Sequence, residues 1–200
     1  MLRRIVDLVA AHPAVYDRVQ AAAGATRLRA WVAGELGTPI GSPVLDLGGG
    51  TGFVRSVLSP GGTYVCLDND PLKLTGVRRN WPGSLALLAD ARANGLRSRS
   101  VDTVFCFNMS HHVDDEGFDS LLVEAARVCR ARIVFLDAVF DPSLWRSRIL
   151  WRLDRGRHPR RPEVIRAALE RHFLHERSAT VAILHRYLLW SGTPRYDRGA

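Results

Sequence analysis

Three kinds of side chain stand at intervals that suit chemistry: glycines alternating at positions 48, 50 and 52, carboxylates at 46, 68 and 90, and an adjacent imidazole pair, His111 and His112. The glycines carry the most information. Residues 44–52 read V-L-D-L-G-G-G-T-G, an apolar run holding one acid that breaks into four glycines within five positions. Glycines directly after a buried strand let the backbone turn tightly and approach a ligand with no Cβ in the way. A nucleotide-like cofactor is the natural occupant. The spacing G-x-G-x-G differs from the nicotinamide-dinucleotide fingerprint, which would require glycine at Phe53, and no Lys-Ser/Thr pair follows as in a phosphate-binding P-loop. Asp68 closes the next apolar run, 16 positions past Gly52, and an acid there can accept from both hydroxyls of a ribose through its two oxygens. The histidines suit proton transfer near neutral pH, which helps whenever an attacking atom carries a proton. With Asp114 and Asp115 they have the types of a metal site but no H-x-x-x-H or facial-triad spacing, so no metal is expected.

These residues need a scaffold that brings strand ends together. Apolar runs at 43–47, 63–67, 85–88, 101–107 and 132–140 alternate with segments of helical character: about 52–58, a helix opened by Asp70-Pro71 as N-cap and first helical residue and stopped by Trp81-Pro82-Gly83, and the amphipathic stretch 118–129. Strands alternating with helices predict an α/β, doubly wound, mostly parallel sheet. Two or three short helices are expected over the first 36 residues. After Pro142 come a helix to about Leu153, a basic loop from Asp154 to Pro162, a helix over 162–172 and two extended segments, 175–183 and 185–190.

At this point the sequence resembles motif I of the class I S-adenosylmethionine-dependent methyltransferases, an apolar strand, an acid and G-x-G-x-G, and most closely the small bacterial, type 11 domain form. The resemblance implies a Rossmann-like seven-stranded sheet whose last two strands form an antiparallel C-terminal edge hairpin. It implies S-adenosylmethionine as cofactor, held by Asp46, Gly48, Gly49, Gly50 and Gly52, with Asp68 as the ribose-binding acid and Asn69 along the adenine. Asp90-Ala91 matches the acid-plus-small pair at the adenine edge, and Asn108, opening N-M-S-H-H-V, matches the residue facing the methionine portion. That segment is not the N-P-P-Y motif of base methylases. Tyr16, within H-P-A-V-Y-D-R-V-Q, resembles an aromatic that closes over the cofactor. His111 and His112 fall in the loop where the acceptor meets the methyl group; at most one of two adjacent residues acts directly, and His112 is slightly favoured. Two departures stand out. The family usually has cysteine or serine at Gly49, a change expected to be harmless, and Arg130-Ala131-Arg132 stands where Lys-Pro-Gly-Gly commonly precedes the fifth strand.

The composition suits one domain: 200 residues, 46% hydrophobic. Its expected parts are N-terminal helices over 1–42, a cofactor-binding core over 43–140, a basic helical insertion over 141–172, and an edge hairpin with tail over 173–200. No apolar run approaches the roughly 20 residues of a membrane span, and the start of the chain lacks a secretory signal, so a cytoplasmic protein is expected, with peripheral contact to the inner membrane face as an option. The three cysteines lie far apart and read as buried thiols. The charge is lopsided: residues 1–142 carry 15 basic and 15 acidic side chains, whereas 143–200 carry 13 and 5. Arg148, Arg152, Arg155 and Arg157 in the insertion are the candidate acceptor-binding residues, with forks suited to phosphate or carboxylate; Trp145, Ile149 and Leu153 share a neighbouring helical face. The expected acceptor is a small or lipid-linked, anionic molecule. Alternatives are an RNA following the basic stripe and a methyltransferase-fold protein that binds cofactor or partner without turnover.

Overall fold

Every residue of β1 (Val44–Leu47) is buried, the mark of a strand covered on both faces. A computed structural model describes residues 24–37, 40–153 and 157–196; Tyr16, Arg155 and the leader through residue 23 lie outside the described residues. In chain order follow α1 (Ala25–Leu36, ahead of β1), β2 (Tyr64–Asp68), α2 (Pro71–Asn80), β3 (Leu85–Leu88), β4 (Val101–Phe107), α3 (Asp115–Val128), β5 (Cys129–Val139), α4 (Trp145–Leu153), α5 (Pro162–His172), β6 (Phe173–Ala182) and β7 (Arg186–Pro194). The seven strands form one sheet in the order β3-β2-β1-β4-β5-β7-β6. All neighbours pair parallel except β7, which runs antiparallel to both β5 and β6. The expected doubly wound sheet with a C-terminal hairpin is therefore present.

Period-two alternation divides the core. Leu45, Leu47, Cys106, Ile133 and Phe135 pack against Leu121, Leu122 and Ala125 of α3 and Ile165 and Leu169 of α5. Val44, Phe105, Phe107, Val134 and Leu136 pack against Leu28 and Val32 of α1 and Leu74 and Val77 of α2. Burying each such side chain contributes roughly 1.5–3 kcal/mol, so both faces of the sheet are firmly clad. Asp70 caps α2 as expected, its carboxylate accepting from the Leu72 N–H at 2.9 Å.

Two expectations are corrected. The segment after the glycine turn forms a four-residue 3-10 turn, Val54–Val57, in place of a helix over 52–58. Pro60-Gly61-Gly62 follows at once, leaving too few residues to nucleate an α-helix, which needs more than one turn to offset its entropy. The fifth strand begins at Cys129 rather than at 132, so Arg130–Arg132 belongs to it. Helix α3 passes directly into β5 at Cys129, and the misfit is absorbed by a register shift opposite Val101 and Thr103. Arg130 there reaches Asp102 at 2.5 Å.

Candidate active site

The strand order reverses between β1 and β4, and open α/β sheets bind ligands outside the carboxyl ends of their strands at that place. A cleft of about 850 Å³ lies there. Its floor is Gly48, Gly49, Gly50 and Thr51 after β1; one side is Asp68 and Asn69 after β2 with Asp90 and Ala91 after β3. Asn108, His111 and His112 after β4 form the other side. Among the described residues, every sequence-predicted cofactor residue except Gly52 therefore borders one cavity.

Local geometry explains the residue types. Gly48, Gly50 and Gly52 have φ of 65°, 58° and 92°, in the left-handed region that favours glycine. A Cβ on Gly48 would come within 2.7 Å of the Met109 Sδ, so the absence of a side chain lets the loop after β4 close on the turn. Asp68 braces the same turn: one oxygen accepts from the Gly50 N–H and the other from the Asp70 N–H, both at 2.9 Å. Each carboxylate oxygen retains a lone pair for a ribose hydroxyl. Asp90 is forked to Arg92 (3.0, 3.2 and 2.7 Å), and this pairing lowers its pKa. Asn108 ends β4 with φ of 51°, a left-handed conformation that asparagine tolerates, and turns the chain toward His111.

At Gly49 the packing itself calls for glycine. A Cβ there would sit 2.6 Å from both the Asp46 Oδ2 and the Cys66 Sγ, so the thiol on β2 occupies the room that a side chain at 49 would need. Gly49→Ser should therefore lower stability by about 1–3 kcal/mol, the usual cost of overpacking, and weaken cofactor binding; thermal unfolding and calorimetry check both.

Asp46 is fully buried beneath the turn. Its Oδ2 accepts from the Tyr64 hydroxyl at 2.6 Å, while its Oδ1 has no protein partner. Burial, reinforced by the negative charge of Asp68, pushes its pKa up to about 7 against the lowering effect of the Tyr64 bond. An orphaned buried acceptor on the wall of a cleft awaits a donor or a cation. S-adenosylmethionine is a cation with donors to spare, so glycine turn, Asp46 and Asp68 fit it.

On the acceptor side, β5 contributes a residue missed in the sequence. Asp137 is fully buried and accepts from the Ser110 N–H (2.8 Å), the Ser110 hydroxyl (2.5 Å), the His111 N–H (3.3 Å) and the Ala138 N–H (2.8 Å). Its Oδ1 lies 2.5 Å from the His111 Nδ1. Burial would raise its pKa, but the charge and hydrogen bond of His111 and the bonds from Ser110 and Ala138 carry it below the usual carboxylate value. An ionised Asp137 can only accept, so Nδ1 carries the proton and a neutral His111 keeps its basic nitrogen at Nε2. The carboxylate thus orients His111, not the exposed His112, whose ring lies 4.2 Å away. An aspartate inside the run R-I-V-F-L-D-A-V-F was the available signal.

The arginines sort differently from the sequence expectation. Arg148, Arg152 and Arg157 are exposed and absent from the cleft wall. Among the described residues the buried one is Arg160, which binds Asp115 (2.9 Å) and the carbonyls of Ser110 (2.6 Å) and Val113 (2.9 Å) over the Phe118 ring. The insertion reaches the cleft through His158, whose N–H donates to the His111 carbonyl at 3.1 Å. His185 and Tyr187 of the hairpin complete the mouth, and Trp151 of α4 packs edge-on to His111 (5.6 Å) and His185 (5.1 Å).

Comparison with known proteins agrees with this geometry. Residues 45–136 match the family model described as a methyltransferase domain. No curated protein matches the chain. Among solved structures, magnesium protoporphyrin IX methyltransferase from Synechocystis, with S-adenosylhomocysteine bound, is 17% identical with a TM-score of 0.68, over 89% of this chain and 85% of that one. A possible histamine N-methyltransferase from Thermotoga maritima is 15% identical (TM-score 0.70, 90% and 94% covered). A putative methyltransferase of Haloferax volcanii, solved with its activator, is 16% identical (TM-score 0.72, 92% and 98% covered). At these identities the likeness is one of fold. Residues 45–136 thus match a methyltransferase domain, and the chain has the fold of class I S-adenosylmethionine-dependent methyltransferases.

Proposed function

We propose that the protein transfers a methyl group from S-adenosylmethionine to a proton-bearing heteroatom of a small or lipid-linked acceptor, with His111 as general base and Asp137 as its orienting partner. The observation that carries this reading is the buried Asp137–His111 pair on the wall of the cleft whose floor is the glycine turn. When bound, the cofactor supplies both the methyl group and its own leaving group, so no protein nucleophile is required. Asp46, the glycine turn and Asp68 hold it; Asp90, Ala91 and Asn69 border the base; Asn108 and Met109 set the loop that faces it. His111 takes the proton released as the acceptor bonds to the methyl carbon. The mouth residues His158, His185 and Tyr187 exclude water and orient the acceptor.

Calorimetry with S-adenosylmethionine tests the first step. The parent should bind, Asp68→Ala should lose at least tenfold in affinity, and Asp68→Asn, which keeps an acceptor for the Gly50 N–H, should lie between. No binding by the parent, or variants that match it, would sink the reading. Turnover with labelled cofactor and a panel of phenols, polyprenyl phosphates, sugars and RNA then identifies the acceptor. Cofactor binding without turnover on any of these favours the non-catalytic alternative. RNA is disfavoured because the exposed arginines lie on the outside of α4 and its following loop, off the cleft wall.

A further inference from the structure

Helix α4 leaves the carboxyl end of β5 and turns one face inward: Ser147 and Trp151 are buried, and the Trp151 indole N–H donates to the Val139 carbonyl at 3.4 Å. Its outward face is unusual. Trp145 is 68% exposed and Ile149 47%, and Arg148 and Arg152 are exposed beside them. With 3.6 residues per turn, positions 145, 148, 149 and 152 fall within about 100° around the axis, so indole, aliphatic chain and two guanidinium groups share one stripe. Leu184, 51% exposed, sits at the turn between β6 and β7. That turn lies at the same rim, because Val139 at the end of β5 pairs with Arg186, and the neighbouring His185 touches Trp151. Arg157 and Arg161, in the segment that follows α4, are exposed as well, within the 58 residues that hold the whole basic excess of the chain.

We infer that this rim, formed by the outer face of α4 and the β6–β7 turn, docks the protein on an anionic lipid surface. Apolar side chains in the interface with arginines at the headgroups is the arrangement of a helix lying in a membrane plane. Arginine stems add apolar cover while their heads stay with phosphate. The sign and place of the charge select the occupant: a mixed or acidic-poor protein face would leave the arginines unpaired, whereas anionic headgroups pair with all of them. The inference rests on the proposed methyl transfer only in its consequence, that a lipid-linked acceptor meets the cleft mouth from the bilayer side, since His185 on this rim also lines the cleft.

Co-sedimentation of the full chain with vesicles of equal parts phosphatidylglycerol and phosphatidylcholine, and of phosphatidylcholine alone, tests it. The chain should bind the anionic vesicles, fail to bind the neutral ones, and release as salt rises from about 0.1 to 1 M, where the screening length falls from roughly 10 to 3 Å. Trp145→Ala with Ile149→Ala should weaken partitioning at least tenfold while S-adenosylmethionine affinity by calorimetry stays at the parent value, which also reports an intact fold. No vesicle binding, equal binding to neutral vesicles, or a double variant that binds like the parent would overturn docking. So would a parent that is dimeric in solution and becomes monomeric with the double variant, since the face would then be an interface between copies. Vesicle binding is read without turnover, so a chain that docks yet binds no S-adenosylmethionine refutes the enzymatic reading alone, and the converse refutes docking alone.

Discussion

Replacing Asp137 should produce a catalytic loss that, outside the cofactor floor, only a substitution of His111 equals. Asp137→Ala removes the acceptor of the Ser110, His111 and Ala138 N–H groups, the Ser110 hydroxyl and the His111 Nδ1–H at once. Leaving such groups buried without a partner costs about 3–5 kcal/mol, so this variant should unfold well below the parent. Asp137→Asn is the sharper probe. It keeps the shape, but its amide NH2 must face one set of donors, and the His111 tautomer is no longer enforced. Turnover should fall by about 10²–10⁴, the range for a misdirected general base, while cofactor affinity stays within about threefold. His111→Gln should lose as much, and the double variant little more, because the two act as one unit. Nitrogen NMR of the His111 ring reads the tautomer without any acceptor. An unchanged tautomer and turnover in Asp137→Asn would remove Asp137 from the mechanism.

Asp46→Asn should make the cofactor-free chain more stable while spoiling its binding. The Asp46 carboxyl titrates near 7 in the folded chain against 3.8 when exposed. Between those values the folded state holds a proton that the unfolded chain has released, so stability falls as pH rises through the interval and the full penalty is present above 7. Asparagine carries no charge to bury and can still accept from Tyr64. The variant should therefore gain on the order of 1–3 kcal/mol over the parent at pH 8 and little or nothing near pH 4. Because a cationic cofactor favours the carboxylate, parent affinity should rise as pH climbs through about 7, and Asp46→Asn should bind at least tenfold more weakly with that dependence gone. Thermal unfolding across pH, with and without S-adenosylmethionine, checks both signs.

What could be read from the chain follows a physical divide. Strands β1 to β5 were legible because parallel strands, buried here except for the edge strand β3, are short continuous apolar runs bounded by breakers; the antiparallel hairpin came from the family resemblance, and Asp68, Asp90 and Asn108 were legible because they close such runs. The 3-10 turn was not: its Val54 and Val57 have helical spacing, and only the short distance to Pro60 forbids a helix. Asp137 lay in plain sight but needed the loop after β4 folded over it to acquire a role. Arg160 was invisible for a different reason. Within a run of arginines nothing local distinguishes the one whose guanidinium turns inward, because the Ser110 and Val113 carbonyls it binds lie 47 to 50 positions away. Likewise His158, His185 and Tyr187 reach the cleft through the placement of the insertion and of β7, which depends on tertiary packing rather than on local periodicity.

Beside the Trp151 ring contact, the segment 158–160 is tied to the His111 loop and to the end of β5 through main-chain atoms: the His158 N–H on the His111 carbonyl, the Phe140 N–H on the Arg160 carbonyl at 2.8 Å, and the Arg160 fork on two further carbonyls. Backbone contacts are indifferent to side-chain identity, Arg160 excepted. The residues around this seam are thus free to drift without misplacing the base. A scaffold stitched in this way can change acceptors by substitution at positions 158, 185 and 187 while its proton-transfer apparatus stays fixed, which makes the mouth of the cleft the evolvable part of the molecule and its floor the inherited one.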